Sequence, residues 1–105
     1  MTENTKLFES FKDWVETDVR GVFSNYEFGV SNPEMENTAW LKLDTKGTIS
    51  GIKIWSTGDY YCEILTFDKE EPDMALSDKL PQDLNFSAAF SRFLNRVVEI
   101  DQAAS

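Results

Sequence analysis

Near the start of the chain, apolar side chains recur at a spacing of three and four. Leu7, Phe8, Phe11, Trp14, Val15, Val19 and Val22 share one side of a helical wheel, and Glu9, Lys12, Asp13, Glu16, Thr17 and Arg20 share the other. This pattern predicts an amphipathic helix from about Thr5 to Gly21, capped by Asn4 or Thr5 and stopped near Gly21. The same period returns late in the chain. There Phe86, Ala89, Phe90, Phe93, Leu94, Val97 and Ile100 mark a second helix, with Asp83 or Asn85 near its start.

Between the two helices the period falls to two. Tyr26, Phe28 and Val30 alternate with Glu27, Gly29 and Ser31, and Asn32-Pro33 ends that strand. Ala39 to Asp44 and Ile49 to Ser56 flank Lys46-Gly47, which reads as a two-residue hairpin turn. A further turn at Thr57-Gly58-Asp59 leads into Tyr60 to Phe67. The polar connection from Asp68 to Pro81 is broken by Pro72 and Pro81, with a short strand or turn around Met74 to Leu76. The order helix, four strands, loop, helix predicts a single α+β domain over residues 1–105. Its helices are expected on one face of a mainly antiparallel four-stranded meander.

Parity fixes the faces of that sheet. A two-residue turn at Lys46-Gly47 sets Leu41 opposite Ile52 and Trp40 opposite Lys53. A three-residue turn over Thr57 to Asp59 sets Ile54 opposite Cys62, Ile52 opposite Ile64, Lys53 opposite Glu63 and Trp55 opposite Tyr61. Like side chains then meet like, and charges meet their opposites. Leu41, Leu43, Ile52, Ile54, Cys62 and Ile64 form an aliphatic face suited to the helices. Trp40, Lys42, Lys53, Trp55, Tyr61 and Glu63 form the other. Two readings of this second face stand: a surface that docks a protein, since Trp and Tyr favour the energetic centres of interfaces, or local cover for the sheet, with Lys53 as a cation–π neighbour. Trp14, on the helix stripe, belongs to the core.

Charge changes the picture next. Ten basic side chains face 19 acidic ones, a net charge of −9, with no histidine and one cysteine. Hydrophobic residues make up 41% of the chain, too many for a disordered acidic tail. Met1-Thr2-Glu3-Asn4 lacks the basic and apolar regions of a signal peptide, and no apolar run approaches a membrane span. Cys62 alone closes no internal disulfide. The expectation is a cytoplasmic protein that does not engage membranes.

The chemistry for catalysis is thin. Without histidine there is no imidazole base, no Ser-His or Cys-His pair and no His-bearing zinc site. Cys62 falls on the aliphatic face, where a thiol behaves as a small hydrophobe. The glycines sit singly at turns and helix ends rather than in a phosphate-binding loop. Asp68-Lys69-Glu70-Glu71-Pro72-Asp73 lacks the pattern of an EF-hand and reads as a solvated acidic loop. The expectation is a non-enzyme with no metal and no cofactor. Direct nucleic-acid binding needs a cationic stripe, and the net charge has the wrong sign.

The stretch Gly51-Ile52-Lys53-Ile54-Trp55-Ser56-Thr57-Gly58, followed by Tyr61-Cys62-Glu63-Ile64-Leu65, resembles the central strands of small bacterial immunity proteins from polymorphic-toxin and contact-dependent-inhibition systems. Its Trp-x-x-Gly element ahead of an acidic strand is similar to the TriTu immunity group. The resemblance implies a cytoplasmic inhibitor that binds one cognate toxin domain, many such toxins being nucleases or other enzymes with cationic substrate surfaces. On this reading the partner-binding residues are Trp40, Trp55, Tyr61 and Glu63 as a flat patch, with Asp68, Glu70, Glu71 and Asp73 as an acidic loop beside it. The partner is then a basic toxin domain, and a homodimer stays open. The alternatives are a small acidic secretion chaperone or adaptor, and a nucleic-acid mimic that inhibits a basic enzyme.

Overall fold

A computed structural model describes residues 2–23, 25–30, 38–83 and 85–104. The elements run α1 (Thr2–Trp14), a π-helical segment (Val15–Val19), β1 (Tyr26–Val30), β2 (Thr38–Asp44), β3 (Thr48–Trp55), β4 (Asp59–Thr66), β5 (Met74–Lys79) and α2 (Phe86–Ala104). The strands form one antiparallel sheet in chain order. The fold is the expected α+β arrangement with one strand more than the four expected. Met74–Lys79 is a full strand against β4, with Leu76 opposite Cys62 and Met74 opposite Ile64. Pro72 and Pro81 lie outside it, so they bound the strand instead of breaking it.

The first helix differs from its prediction at both ends. It starts at Thr2, so Asn4 and Thr5 lie within it and do not cap it. Its last five residues widen into a π-helix, closed by the Arg20 N–H donating to the Val15 carbonyl at 2.9 Å. The N–H groups of Val22 and Phe23 then both donate to the Val19 carbonyl, at 3.0 and 2.8 Å. The helix has ended before Val22 can continue the stripe, leaving that residue 62% exposed while Phe23 takes the inward place. The second helix starts as expected. The Asn85 side chain accepts the Ala88 N–H at 3.0 Å, an N-cap bond, and Asp83 accepts the Asn85 N–H at 3.1 Å.

The β2–β3 hairpin has the predicted register, with Leu41 opposite Ile52 and Trp40 opposite Lys53. The β3–β4 pairing is offset by two residues from expectation: Lys53 opposes Tyr61, Ile52 opposes Cys62 and Ile54 opposes Tyr60. The cause is the turn. Gly58 takes φ +93°, the left-handed conformation that closes a three-residue hairpin loop, and its N–H donates to the Trp55 carbonyl at 2.9 Å. The loop is therefore Ser56-Thr57-Gly58, one residue earlier than Thr57 to Asp59. A two-residue offset preserves parity, so both faces keep their predicted members while their cross-strand partners change. The strand break expected at Asn32-Pro33 lies outside the described residues.

Leu41, Leu43, Ile52, Ile54, Cys62 and Ile64 are buried, and the core closes over them with Phe8, Phe11, Trp14, Val15 and Val19 from the first helical stretch and Phe86, Phe90, Phe93 and Val97 from α2. Phe11 packs against Phe28 of β1 at 5.7 Å and Phe86 of α2 at 5.5 Å between ring centroids. Trp14 meets Phe90 at 5.6 Å, and Tyr60 of β4 meets the same ring edge-on at 4.9 Å. Both helices are thus held to one face by shared rings. Burial pushes the Cys62 thiol up to about 11, which keeps it a neutral core side chain. At one end of the sheet, Asp101 of α2 accepts the Lys46 N–H at 3.1 Å, fastening the helix to the β2–β3 turn.

A second fastening runs from α2 to the β4–β5 connection. The Arg96 guanidinium donates through Nε and Nη2 to the two carboxylate oxygens of Asp73, at 2.7 and 2.8 Å. The Asp73 side chain is only 9% exposed, and this fork holds its carboxyl below the ordinary value of 3.8. A carboxylate with a lowered folded-state pKa stabilises the fold above its unfolded value, and that contribution is lost as the pH falls through the folded value.

Two outcomes follow from this packing. Phe11→Ala should cost about 3–5 kcal/mol in unfolding free energy, read by urea titration, since it removes a fully buried ring shared by three elements. Asp73→Asn should destabilise the protein at about pH 7, and the gap from wild type should narrow once the pH drops below about 4. A gap of unchanged size at about pH 3 would count against the Arg96 clamp as its source.

Candidate protein-binding surface

The sheet face opposite the helices is built from alternate residues of all five strands. One row across it carries Gly29, Trp40, Lys53, Tyr61 and Ser77. The neighbouring row toward the β3–β4 turn carries Trp55, Asp59 and Lys79. On the other side come Glu27, Lys42, Gly51, Glu63 and Ala75, and beyond them Asp44, Ile49 and Leu65. No helix among the described residues packs on this face. Trp40, Trp55, Tyr61 and Glu63 are all half-buried, with one side in the sheet and the other in water.

The register offset changes how these groups satisfy one another. The expected Lys53–Glu63 and Trp55–Tyr61 cross-strand pairs do not form. Lys53 instead lies over the Trp55 ring, its Nζ 5.3 Å from the centroid, a cation–π contact along one strand. Tyr61 donates its hydroxyl to Glu63 at 3.0 Å, and that bond holds the phenol above its ordinary value. Asp59 accepts from Lys79 and from the Thr57 hydroxyl, each at 2.8 Å, which lowers its carboxyl and raises the Lys79 ammonium. Lys53, Trp55, Tyr61, Glu63, Asp59 and Lys79 thus each have a partner within the face itself.

The acidic loop lies beyond the opposite end of this strip from Trp55. The face runs about 20 Å from Trp55 to Ile49 at ~3.3 Å per residue, and the loop follows β4 after Leu65. Asp68, Glu70 and Glu71 are exposed, whereas Asp73 is taken up by Arg96. The eight expected contact residues are therefore not one cluster. Trp40, Trp55, Tyr61 and Glu63 share the sheet face, three acids crown one end of it, and Asp73 anchors the crown to α2.

Apolar side chains that the sequence reading passed over join the two parts. Ile49 and Leu65 oppose each other across β3 and β4 on the same face, 39% and 38% exposed, and Phe67 just beyond them is 67% exposed. Their parity with Trp55 and Tyr61 was the available signal. Charge is distributed unevenly between the layers. On the sheet face Glu27, Asp44, Asp59 and Glu63 are nearly balanced by Lys42, Lys53 and Lys79. The acidic excess sits on the loop and on the exposed side of the first helical stretch, at Glu9, Asp13, Glu16 and Asp18. Among the described residues no group of three or more His, Cys, Asp or Glu side chains is placed to hold a metal ion. No helix among the described residues is long and apolar enough to cross a membrane.

Comparison with known proteins bears on what such a face is for. No curated protein and no solved structure matches the chain. A family model described as Immunity protein TriTu matches residues 9–96, which takes in the end of α1, the π-helical segment, the whole sheet and the first part of α2. The resemblance carried by Trp55-Ser56-Thr57-Gly58 and the acidic strand after it thus extends over most of the sequence, and the chain belongs to the TriTu immunity protein family.

Proposed function

We propose that this protein neutralises a cognate toxin domain by stoichiometric binding, with the outer sheet face as the docking surface and the acidic loop as its guide. The observation that carries the reading is the half-buried aromatic face of Trp40, Trp55 and Tyr61, on which no described helix packs, on a chain of net charge −9. A toxin domain with a cationic surface meets both features. Opposite net charge steers encounter and raises association above the unsteered rate of about 10⁵–10⁶ M⁻¹s⁻¹. Aromatic side chains with a polar handle then supply most of the lasting contact. Nucleases are one class with such a surface, because they must hold phosphates. Inhibition of this kind needs no turnover, only occupancy of the surface the toxin uses or of one beside it.

Capture with tagged protein from its native lysate, at low and raised salt, should yield one dominant basic partner in about equal ratio, weakened by salt. The partner, produced alone, should arrest cell growth, and co-production of this protein should restore it. A dimer holding an extended effector segment, or many unrelated DNA-binding partners, would replace the reading with a chaperone or a nucleic-acid mimic.

Kinetics divide the surface. Glu70→Lys with Glu71→Lys should lower the association rate by about tenfold at low salt and flatten its salt dependence. An unchanged rate removes the loop from the site. Trp55→Ala should instead shorten the lifetime of the complex, at a cost of about 2 kcal/mol or more in affinity.

A further inference from the structure

We infer that Gly29 is a positioning residue, whose missing side chain seats the Trp40 indole over the edge strand and so pre-forms one anchor of the docking face. The inference rests on the proposed use of that face. Gly29 opposes Trp40 in the β1–β2 register. A Cβ built at Gly29 would fall inside contact distance of the indole Cζ2, 2.5 Å from Cε2 and 3.0 Å from Nε1. The ring therefore occupies the space a side chain would take.

The backbone does not require glycine here. Gly58 is the glycine with positive φ, while Gly29 sits within a regular strand, where glycine forfeits stability relative to residues with side chains. The nearest atoms a Cβ would meet all belong to the indole. Since that obstacle is a side chain, an added methyl moves the ring and leaves the sheet in place. An aromatic residue across from an edge-strand glycine also covers the backbone the glycine leaves bare.

Seating the ring has a consequence for binding. The indole reaches from β2 over Gly29 of β1 and stays half-buried, in the same cross-strand row as Lys53 and Tyr61. A partner side chain, most suitably a guanidinium that stacks on the indole, meets a ring already ordered. Ordering a free side chain on binding weakens affinity, and the seat removes that cost in advance.

The test uses Gly29→Ala with Trp40 present and with Trp40→Ala. In a Trp55→Phe background, with Trp14 buried, Trp40 is the exposed reporter, and Gly29→Ala should raise its quenching by acrylamide. Gly29→Ala should lower the melting temperature when Trp40 is present and leave it equal or higher in the Trp40→Ala background, where the clash is gone. With the purified toxin domain, Gly29→Ala should weaken binding by about two- to tenfold, the cost of ordering one side chain, and Trp40→Ala by more. The double variant should bind no worse than Trp40→Ala alone. Equal loss of melting temperature in both backgrounds, with unchanged quenching, overturns the seat. A displaced ring with unchanged affinity, while Trp40→Ala weakens binding, overturns the positioning role alone. If Trp40→Ala binds the toxin as wild type does, Trp40 is no anchor and the docking role falls, whatever the quenching shows.

Discussion

The ring cluster of Phe11, Trp14, Phe86 and Phe90 sets the terms for everything else in this molecule. Phe11 and Phe86 join the two helices, Phe28 and Tyr60 join them to opposite parts of the sheet, and Trp14 spans both sets. The Trp14 indole also donates to Ser87 at 3.0 Å, and Ser87 donates to Asp18 at 2.8 Å, so a polar link runs beside the apolar one. With both helices spent on one face, no described helix remains for the other. That the aromatic face carries no described helix follows directly from where the helices are fastened.

That asymmetry separates two physical tasks. On the proposed reading, long-range attraction depends on net charge and draws on the carboxylates of the first helical stretch and the β4–β5 loop. Short-range adhesion on that reading depends on burial and fit, and draws on the balanced face of Trp40, Lys53, Trp55 and Tyr61. The Arg96 fork on Asp73 matters to the first task even though it removes one acid from it. By tying the loop to α2, it fixes where Asp68, Glu70 and Glu71 sit relative to the sheet.

How much of this was legible from sequence depends on the kind of signal. Periodicity placed both helices and put Leu41, Leu43, Ile52, Ile54, Cys62 and Ile64 on one face and Trp40, Trp55 and Tyr61 on the other, as the registers have them, because burial on one face leaves no freedom of parity. Cross-strand partners were less legible. They hinge on which residue of Ser56-Thr57-Gly58-Asp59 takes positive φ, and the reading set Asp59 last where the backbone demands Gly58. The fifth strand was hidden because Ala75 and Ser77 weaken its alternation and prolines bracket it. Among the candidate contacts, the sheet residues were found by parity. The engagement of Asp73 was not, since nothing local connects it to Arg96 on a distant helix. The family match supports the inhibitor reading of the chain as a whole without choosing among these residues.

A face of balanced charge has a further merit for an inhibitor that must recognise one partner. An acidic crown attracts any basic protein, so it cannot by itself discriminate. Lys42, Lys53 and Lys79 are interspersed with Glu27, Asp59 and Glu63, and four of these groups are already held by neighbours: Lys53 by Trp55, Glu63 by Tyr61, and Lys79 and Asp59 by each other. A partner that offers the matching pattern gains its contacts without rearranging the face. One that sets a cation against Lys53, or leaves Glu63 buried and unmatched, incurs repulsion and desolvation at close range, where screening is weakest. On the proposed reading, attraction admits many candidates and the patterned face is what tells them apart.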